Sequence, residues 1–237
     1  IVLGVTCFID DSKGIPSWVK LIAQVGAAII VAVCGIRIEN INLPFIDNKI
    51  FFYEWFSYII TVGWIVGITN AINLIDGLDG LSSGITLISC VSLLIIFLLT
   101  PSSPLISILL ITALAGSIVG FLPFNFSPAK TFIGDVGSNF LGFSLAVISI
   151  LGVAKTYTAL VLIAPIIVLG LPIFDTIFAI IRRIIKGKSI KAVFKADKGH
   201  LHHRLMKRGY TQKQAVLILY GLTATLGMFA IILLESG

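Results

Sequence analysis

Short breaks rich in polar residues, glycine, proline and asparagine divide the sequence into eight apolar runs. The runs fall at 1–9, 18–38, 53–72, 81–100, 104–122, 138–152, 157–181 and 214–235. A helix needs about 20 apolar residues to cross a bilayer, so the pattern predicts an all-α polytopic membrane protein with about seven or eight transmembrane helices. The 138–152 run is short for a span. The 157–181 run is long, and Pro165 and Pro172 are expected to kink it.

Composition excludes a water-soluble protein. Of the 237 residues, 57% are hydrophobic and 12% are charged, whereas about a quarter of the residues in a soluble domain are charged. The three cysteines stand alone in apolar runs, without the spacing of a metal or disulfide site. No repeat or linker interrupts the chain, so we expect one integral-membrane domain over 1–237. Because the first run begins at residue 1 with no basic segment before it, we expect further N-terminal spans rather than a signal peptide.

The distribution of charge predicts an orientation in the membrane. The net charge is +6, and eleven of the seventeen basic residues lie within 182–213. If each run crosses once, the breaks at 10–17, 73–80 and 123–137 lie on the same side as this basic segment, and the positive-inside rule makes that side cytoplasmic. Seven of the eleven acidic residues lie at or near it. The basic excess therefore indicates topology rather than nucleic-acid binding, and the unusual polar motifs converge on one face.

The first polar motif is Asp10-Asp11, at the end of the first run. Adjacent carboxylates bind a hard cation or hold a reacting group, although a solvated end of a span would also explain them. Lys20 lies near the start of the next run. Its side chain either extends to the interface as an ordinary anchor or contacts a phosphate, and both readings stay open.

The second motif places amides and carboxylates at helical intervals. Asn70, Asn73, Asp76 and Asp79 follow one another every three residues, so they share one face of a helix that ends near Gly77 and Gly80. Their oxygen atoms are the hard donors that Mg²⁺ prefers. A simple helix cap explains one such residue but not four.

The third motif is the segment 124–138, in which two glycines bracket Asp135 and Asn125 lies ten residues earlier. The glycines allow a close approach of the backbone to a ligand, or they simply form a turn between spans. The aromatic residues Phe124, Phe126 and Phe132 could stack on a nucleotide base, although packing is the commoner role for phenylalanine in a loop.

The fourth motif combines His200, His202 and His203 with Arg204 inside the basic segment. No cysteine or further spaced ligand supports a structural zinc site. A cationic loop near anionic lipid is one interpretation, and binding of a pyrophosphate is the better-supported one.

Carboxylates for Mg²⁺, cations for phosphates and a membrane location together predict phosphoryl transfer to a lipid. A transporter would place its charges near the bilayer midplane, whereas these acids gather at one face. An intramembrane aspartate-rich prenyltransferase would not need the histidine-rich loop. A non-catalytic scaffold that binds lipid headgroups is the third alternative.

Five segments of the chain resemble the polyprenyl-phosphate N-acetylhexosamine-1-phosphate transferases of glycosyltransferase family 4. They are FIDD at 8–11, NAINLIDGLDGL at 70–81, FNFSPAKTFIGDVGS at 124–138, PIFDTIFAIIRR at 172–183 and DKGHLHHRL at 197–205. The segments occur in family order and cover nearly the whole chain. The form of the last segment resembles the N-acetylglucosamine-1-phosphate branch, because the phospho-MurNAc-pentapeptide branch is expected to carry an acid where Arg204 and Leu205 stand. That second branch is the alternative function.

The resemblance implies transfer of N-acetylglucosamine 1-phosphate from a UDP-sugar to undecaprenyl phosphate, with release of UMP. It implies Mg²⁺ as cofactor, with Mn²⁺ as a substitute, and a multi-pass protein of the bacterial inner membrane with a cytoplasmic active site. The implied partners are the UDP-sugar, the lipid phosphate and the membrane, with a homodimer left open and no nucleic acid.

The resemblance also implies roles for individual residues. The catalytic residues would be Asp10, Asp11, Asp76 and Asp79, and the metal ligands would be Asn73 and Asp135. The substrate-binding residues would be Lys20, Asn70, Asn125, His200, His202, His203 and Arg204.

Overall fold

The computed structural model describes residues 2–41, 50–153, 159–187 and 199–236, and most of them are helical. The helices are α1 (Val2–Lys13), α2 (Ser17–Val33), α3 (Glu54–Ile75), α4 (Leu81–Leu99), α5 (Leu105–Asn125), α6 (Gly134–Val153), α7 (Ala159–Val168), α8 (Gly170–Gly187), α9 (Leu201–Lys207) and α10 (Gln212–Glu235). Two short antiparallel strands, β1 (Asn40–Ile41) and β2 (Ile50–Phe51), pair between α2 and α3. The all-α polytopic class predicted from the apolar pattern is confirmed.

Among the described helices, five are long and apolar enough to cross a membrane, namely α3, α4, α5, α6 and α10. Helix α2 is a shorter apolar helix. The seven or eight predicted spans therefore correspond to five helices of spanning length and several shorter ones. The short 138–152 run becomes a full span because α6 begins earlier, at Gly134.

The described part of the long 157–181 run, residues 159–181, is two helices rather than one kinked helix. Helix α7 ends at Val168 and α8 begins at Gly170. Pro172 explains the position of the break, because proline has no N–H to donate to the carbonyl four residues earlier, which belongs to Val168, and its ring clashes with that carbonyl. Within α8, Pro172 lies in the first turn, where the backbone N–H groups have no intrahelical acceptor in any case.

The core lies between α3, α4 and α6. Ile65, Ile72, Leu93, Phe97 and Leu145 are among its buried side chains. Helices α3 and α6 approach closely because α6 has a glycine where they meet. A Cβ atom added at Gly142 would lie 2.8 Å from the Cα atom of Thr69. Large apolar side chains also cover the outer surface, as expected where helices face lipid chains.

The polar motifs of the sequence meet at one end of this helix bundle. The end of α1, the start of α2, the end of α3 and the start of α6 contact one another there through side chains. The loops after α3 and α5 and the short helix α9 join the same region. The convergence expected from the sequence is thus present in the structure. Asp197 and Lys198, which belong to the last of the five resembling segments, lie outside the described residues.

Candidate active site

Lys20 lies between two carboxylates that come from different helices. Its Nζ atom is 2.7 Å from Oδ2 of Asp10, near the end of α1, and 2.6 Å from Oδ2 of Asp135, in the first turn of α6. The second oxygen of Asp10 accepts a hydrogen bond of 2.7 Å from the backbone N–H of Ile15, which fixes the turn between α1 and α2. One ammonium group therefore connects three helix ends.

Asp11 has different surroundings from its neighbour Asp10. Its two carboxylate oxygens accept hydrogen bonds from the backbone N–H groups of Asp135 and Val136, at 3.2 and 3.3 Å. This position suits a carboxylate, since the N-terminus of a helix carries partial positive charge. Gly134 makes the contact possible, because its φ of +64° favours glycine and an added Cβ would lie 3.0 Å from Oδ2 of Asp11. Asp11 thus caps α6 instead of facing Lys20.

Asn73 and Asp135, the expected metal ligands, are in contact. The Nδ2 atom of Asn73 donates to Oδ1 of Asp135 at 2.9 Å and to Oγ of Ser138 at 2.9 Å. In the described part of the chain, no group of three or more histidine, cysteine, aspartate or glutamate side chains could hold a metal ion. Mg²⁺ commonly uses one or two protein carboxylates and takes water or substrate phosphates as its other ligands. The oxygen atoms of Asp135 and Asn73 fit that pattern.

Asp76 and Asp79 occupy the loop after α3. Asp76 follows the last residue of α3, and its Oδ1 atom accepts a hydrogen bond of 2.6 Å from the hydroxyl of Ser82. Burial, with a smaller contribution from the charge of Asp135, raises the pKa of Asp76 to about 6, although the Ser82 hydrogen bond acts in the opposite direction. Oδ2 of Asp79 accepts from the backbone N–H of Ala129 at 3.2 Å, which ties this loop to the one after α5.

Asn125 is the last residue of α5 and is 3% exposed. Its Oδ1 atom accepts from the hydroxyl of Ser83 at 2.8 Å, and its Nδ2 atom donates to the carbonyl of Thr131 at 3.0 Å. These contacts order the loop that leads to Asp135. Phe132 in that loop is 76% exposed, so its ring is accessible to a ligand. The nucleotide contacts predicted for Asn125 and the aromatic side chains stay predictions.

His200 is buried beside an acid of α8. Its Nδ1 atom lies 2.8 Å from Oδ2 of Asp175, and the other carboxylate oxygen of Asp175 accepts from the backbone N–H of Leu201 at 2.9 Å. Asp175 therefore orients the imidazole and also binds the first N–H group of α9. Both side chains are almost fully buried.

His202 is 1% exposed and lies directly over Gly77. A Cβ atom added to Gly77 would lie 2.3 Å from Nε2 of His202, so only glycine fits there without a shift of the ring. Neither ring nitrogen has a hydrogen-bond partner among the described residues. Burial, reinforced by the neighbouring imidazoles of His203 and His200, lowers the pKa of His202 to about 4, so the ring is neutral at neutral pH.

The predicted phosphate-binding cluster is thus divided into an inner and an outer part. His200 and His202 lie inside the protein, whereas His203 is half-buried and Arg204 is exposed. The phosphate contacts predicted for these four residues stay predictions.

A groove with mostly apolar walls opens beside Lys20. Its volume is about 640 Å³, and it runs between α2, α3 and α8. Asn70 and Asn73 line it from α3, and Arg183 lines it from α8. The remaining walls are largely aliphatic, from side chains such as Leu21, Val25, Val62, Val66 and Ile180.

Three residues near the site were not among the candidates from the sequence: Gln24, Asp175 and Arg183. The sequence contained one indication for Asp175, since an acidic side chain within an apolar run is energetically unfavourable unless it has a partner. Gln24 lies one helical turn after Lys20, which places both side chains on the same face of α2. Arg183 looked like one of many basic residues of a cytoplasmic segment, and only the structure shows that it lines the groove.

Fold and site together define a polytopic helical membrane protein with a carboxylate–ammonium cluster at one end of its helices and an apolar groove beside that cluster. The chain belongs to glycosyl transferase family 4, whose model matches residues 1–153. The family expected from the five sequence motifs is confirmed.

Several curated relatives are similar to this chain. A probable undecaprenyl-phosphate N-acetylglucosaminyl 1-phosphate transferase of Bacillus subtilis is 44% identical over 98% of this chain and 63% of its own length. A decaprenyl-phosphate N-acetylglucosaminephosphotransferase of Mycobacterium leprae is 34% identical over 90% of this chain and 57% of its own length. A phospho-N-acetylmuramoyl-pentapeptide-transferase of Limosilactobacillus reuteri is 36% identical over 62% of this chain and 45% of its own length. The chain therefore spans about half to two thirds of the length of these relatives.

Proposed function

We propose that the protein transfers N-acetylglucosamine 1-phosphate from UDP-N-acetylglucosamine to undecaprenyl phosphate and releases UMP. One observation carries the proposal. The ammonium group of Lys20, held between the carboxylates of Asp10 and Asp135, lies at the end of a groove with apolar walls. Such a groove fits an isoprenoid chain whose phosphate reaches the ammonium group of Lys20. The name of the Bacillus subtilis relative supports the same reaction, and the name of the Mycobacterium leprae relative supports the same type of transfer with decaprenyl phosphate.

The acceptor lipid is assigned to the groove between α2, α3 and α8. Its aliphatic walls suit a hydrocarbon chain, and it contains Lys20 and Arg183. Ammonium and guanidinium groups form strong charge-assisted hydrogen bonds with phosphate oxygens. The UDP-sugar is assigned to the side formed by the loops after α3 and α5, where Asp76, Asn125 and the exposed Phe132 lie.

The reaction is a substitution at phosphorus. An oxygen of the lipid phosphate forms a bond to the β-phosphorus of the UDP-sugar, and the bond from that phosphorus to the bridging oxygen breaks. UMP leaves with the electron pair. A phosphate monoester has its second pKa near 6, so the acceptor is mostly dianionic at neutral pH and needs no general base. Lys20, held in place by Asp10, therefore positions the acceptor for direct in-line attack, in keeping with phosphoryl transfer in general.

Mg²⁺, or Mn²⁺ in its place, would be held by Asp135 and Asn73. When bound, the ion would neutralise charge on the pyrophosphate oxygens. Asp11 keeps the first turn of α6 in place, and α6 carries Asp135. The basic segment 182–213 supports a location of this site on the cytoplasmic face of a bacterial inner membrane.

The test is release of UMP from UDP-N-acetylglucosamine by the full chain in membranes that contain undecaprenyl phosphate and Mg²⁺. Asp135→Asn should abolish release, and Lys213→Met, an exposed lysine of α10, should leave it unchanged. An absence of release by the unsubstituted full-length protein would refute the proposal.

The Limosilactobacillus reuteri relative favours one alternative donor, UDP-MurNAc-pentapeptide. Greater UMP release from that donor than from UDP-N-acetylglucosamine would support the alternative. Exchange of labelled UMP into the UDP-sugar without any lipid acceptor would indicate a covalent aspartyl-phosphate intermediate and would contradict direct attack.

A further inference from the structure

Three amide side chains form a hydrogen-bonded network just below the carboxylate–ammonium cluster. We call Gln24, Asn70 and Asn139 the amide layer. The Nε2 atom of Gln24 donates to Oδ1 of Asn139 at 2.7 Å, and the Oε1 atom of Gln24 accepts from Nδ2 of Asn70 at 2.6 Å. Gln24 is thus the centre of the network and joins α2 to both α3 and α6.

Each member of the amide layer lies one helical turn from a residue of the candidate active site. The site residues concerned are Lys20 on α2, Asn73 on α3 and Asp135 on α6. The layer also reaches the site directly, because Nδ2 of Asn139 donates to the backbone carbonyl of Asp135 at 2.8 Å. Two successive turns of the same three helices are therefore linked. Lys20, Asn73 and Asp135 link the first turn, and the three neutral amides link the next.

The amide layer is not explained by helix packing alone. Gln24 is 3% exposed and Asn139 is fully buried, and burying amides is unfavourable unless their hydrogen bonds are satisfied. Aliphatic side chains could pack these helices without that cost. Hydrogen bonds between amides, unlike aliphatic contacts, fix the rotation and the axial position of each helix because they require particular atoms to meet.

We infer that Gln24 is a positioning residue that holds α2 in register with α3 and α6, so that the Lys20 ammonium meets the Asp135 carboxylate. This inference rests on the proposed function only where transfer activity is measured. Gln24 lines the groove assigned to the acceptor but makes no hydrogen bond to Lys20, Asp10 or Asp135 among the contacts of the described residues, so we assign its effect to the helices that carry them.

The first experiment measures transfer kinetics of Gln24→Met in the full chain. Methionine is unbranched and of similar length but cannot replace the hydrogen bonds. We expect kcat to fall about 10- to 100-fold, because a small displacement of reacting groups has an effect of that size. We expect KM for the UDP-sugar to change by less than about threefold, since the donor is bound elsewhere.

The matched control is Ser149→Ala. The hydroxyl of Ser149 on α6 accepts a hydrogen bond of 3.0 Å from Trp64 on α3, so it joins two of the same helices far from the site. This variant should lose thermal stability to a similar extent as Gln24→Met and keep its kcat. If both variants lose kcat equally, or if Gln24→Met keeps a kcat within about twofold of the unsubstituted chain, the inference is wrong.

A second readout does not depend on the proposed function. Acylation of Lys20 by an amine-reactive reagent, measured by mass spectrometry, reports whether its ammonium is held by carboxylates. We expect several-fold faster acylation in Gln24→Met and no change in Ser149→Ala. Equal rates in all three proteins would overturn the inference. If the unsubstituted chain transfers no sugar phosphate, the proposed function fails and the acylation rates alone decide the role of Gln24.

If Gln24→Met does not fold, Gln24→Glu provides the same test. A protonated carboxyl group has one donor and one acceptor, as the network requires, whereas the ionised form would place a charge against Oδ1 of Asn139. The charged groups near this position among the described residues include Lys20 on the same helix, Asp10 on α1, Asp135 on α6 and Arg183 on α8. Activity relative to the unsubstituted chain should therefore rise as the pH falls, and a ratio that is constant with pH would contradict the positioning role.

Discussion

Replacing Lys20 by methionine should destabilise the protein in a way that depends on pH. The substitution keeps most of the apolar length of the side chain and removes the ammonium group. Asp10 and Asp135 are then left facing each other, since their Oδ2 atoms are 2.7 and 2.6 Å from the same nitrogen. All three side chains are less than one third exposed, so water screens the two carboxylates only in part.

The size of the effect follows from the geometry. Two oxygens that each contact one nitrogen are about 5 Å apart at most, and two unit charges at that distance repel by about 3 kcal/mol at an effective dielectric constant of 20. For a chain of this size, that free energy corresponds to a fall in Tm of about 6 to 12 °C. Binding of a proton by one carboxylate removes the repulsion, so the loss of stability should be largest at neutral pH and smaller at acidic pH.

The assay is thermal unfolding in detergent, followed by tryptophan fluorescence, with EDTA present to remove divalent cations. The unsubstituted chain, Lys20→Met and Lys213→Met are compared over a range of pH. Lys213→Met should behave like the unsubstituted chain, because Lys213 is exposed on α10. An unchanged Tm of Lys20→Met at neutral pH would refute the reasoning. A deficit that stays constant down to acidic pH would show instead that packing of the lysine stem, and not its charge, stabilises the site.

Three further predictions concern the histidine-containing region. Gly77→Ala should displace the ring of His202, since the new Cβ would lie 2.3 Å from Nε2. We expect a lower Tm and at least about tenfold slower UMP release, both measured on the same preparation. Asp175→Asn removes one of the two acceptors used by His200 and Leu201, so kcat should fall about tenfold or more in a steady-state assay while the protein still folds. The pKa of His202 is about 4 in the folded protein and near 6.5 in the unfolded chain, so the folded state should lose stability as the pH falls from about 6.5 to 4. His202→Leu removes this group, and its Tm should therefore decline less over the same pH range.

The apolar pattern was sufficient for the fold class, because in a membrane nearly every backbone polar group must be paired within a helix. The apolar pattern was insufficient to predict the break between α7 and α8 at Leu169. There the run of apolar residues continues without interruption, and the helices are separated by the missing N–H and the ring of Pro172. The position of a proline relative to the carbonyl four residues earlier could have located this break.

The residues that meet at the candidate site could be predicted from the sequence, but the contacts between their side chains could not. Asp10 and Asp11 looked like a pair of equivalent acids at the end of a span. Helix α1 continues to Lys13, and successive residues of a helix point about 100° apart, so the two carboxylates reach different partners. The contact of Asp175 with His200 depends on the path of the chain between α8 and α9, which no periodicity encodes.

The charges at the site constrain how a phosphorylated lipid can bind. Asp10, Asp135 and Lys20 together carry a net charge of about −1 at neutral pH, and the acceptor phosphate adds nearly two further negative charges. Lys20 already holds both carboxylates, so it cannot neutralise the phosphate without weakening those contacts. On the proposed function, the acceptor would have to bind together with additional positive charge. Arg183 lines the same groove, and a divalent cation beside Asp135 and Asn73 would add positive charge there. The low number of charged residues in the groove would favour binding of the apolar lipid chain. Binding of its phosphate would depend instead on the positive charges near the helix ends.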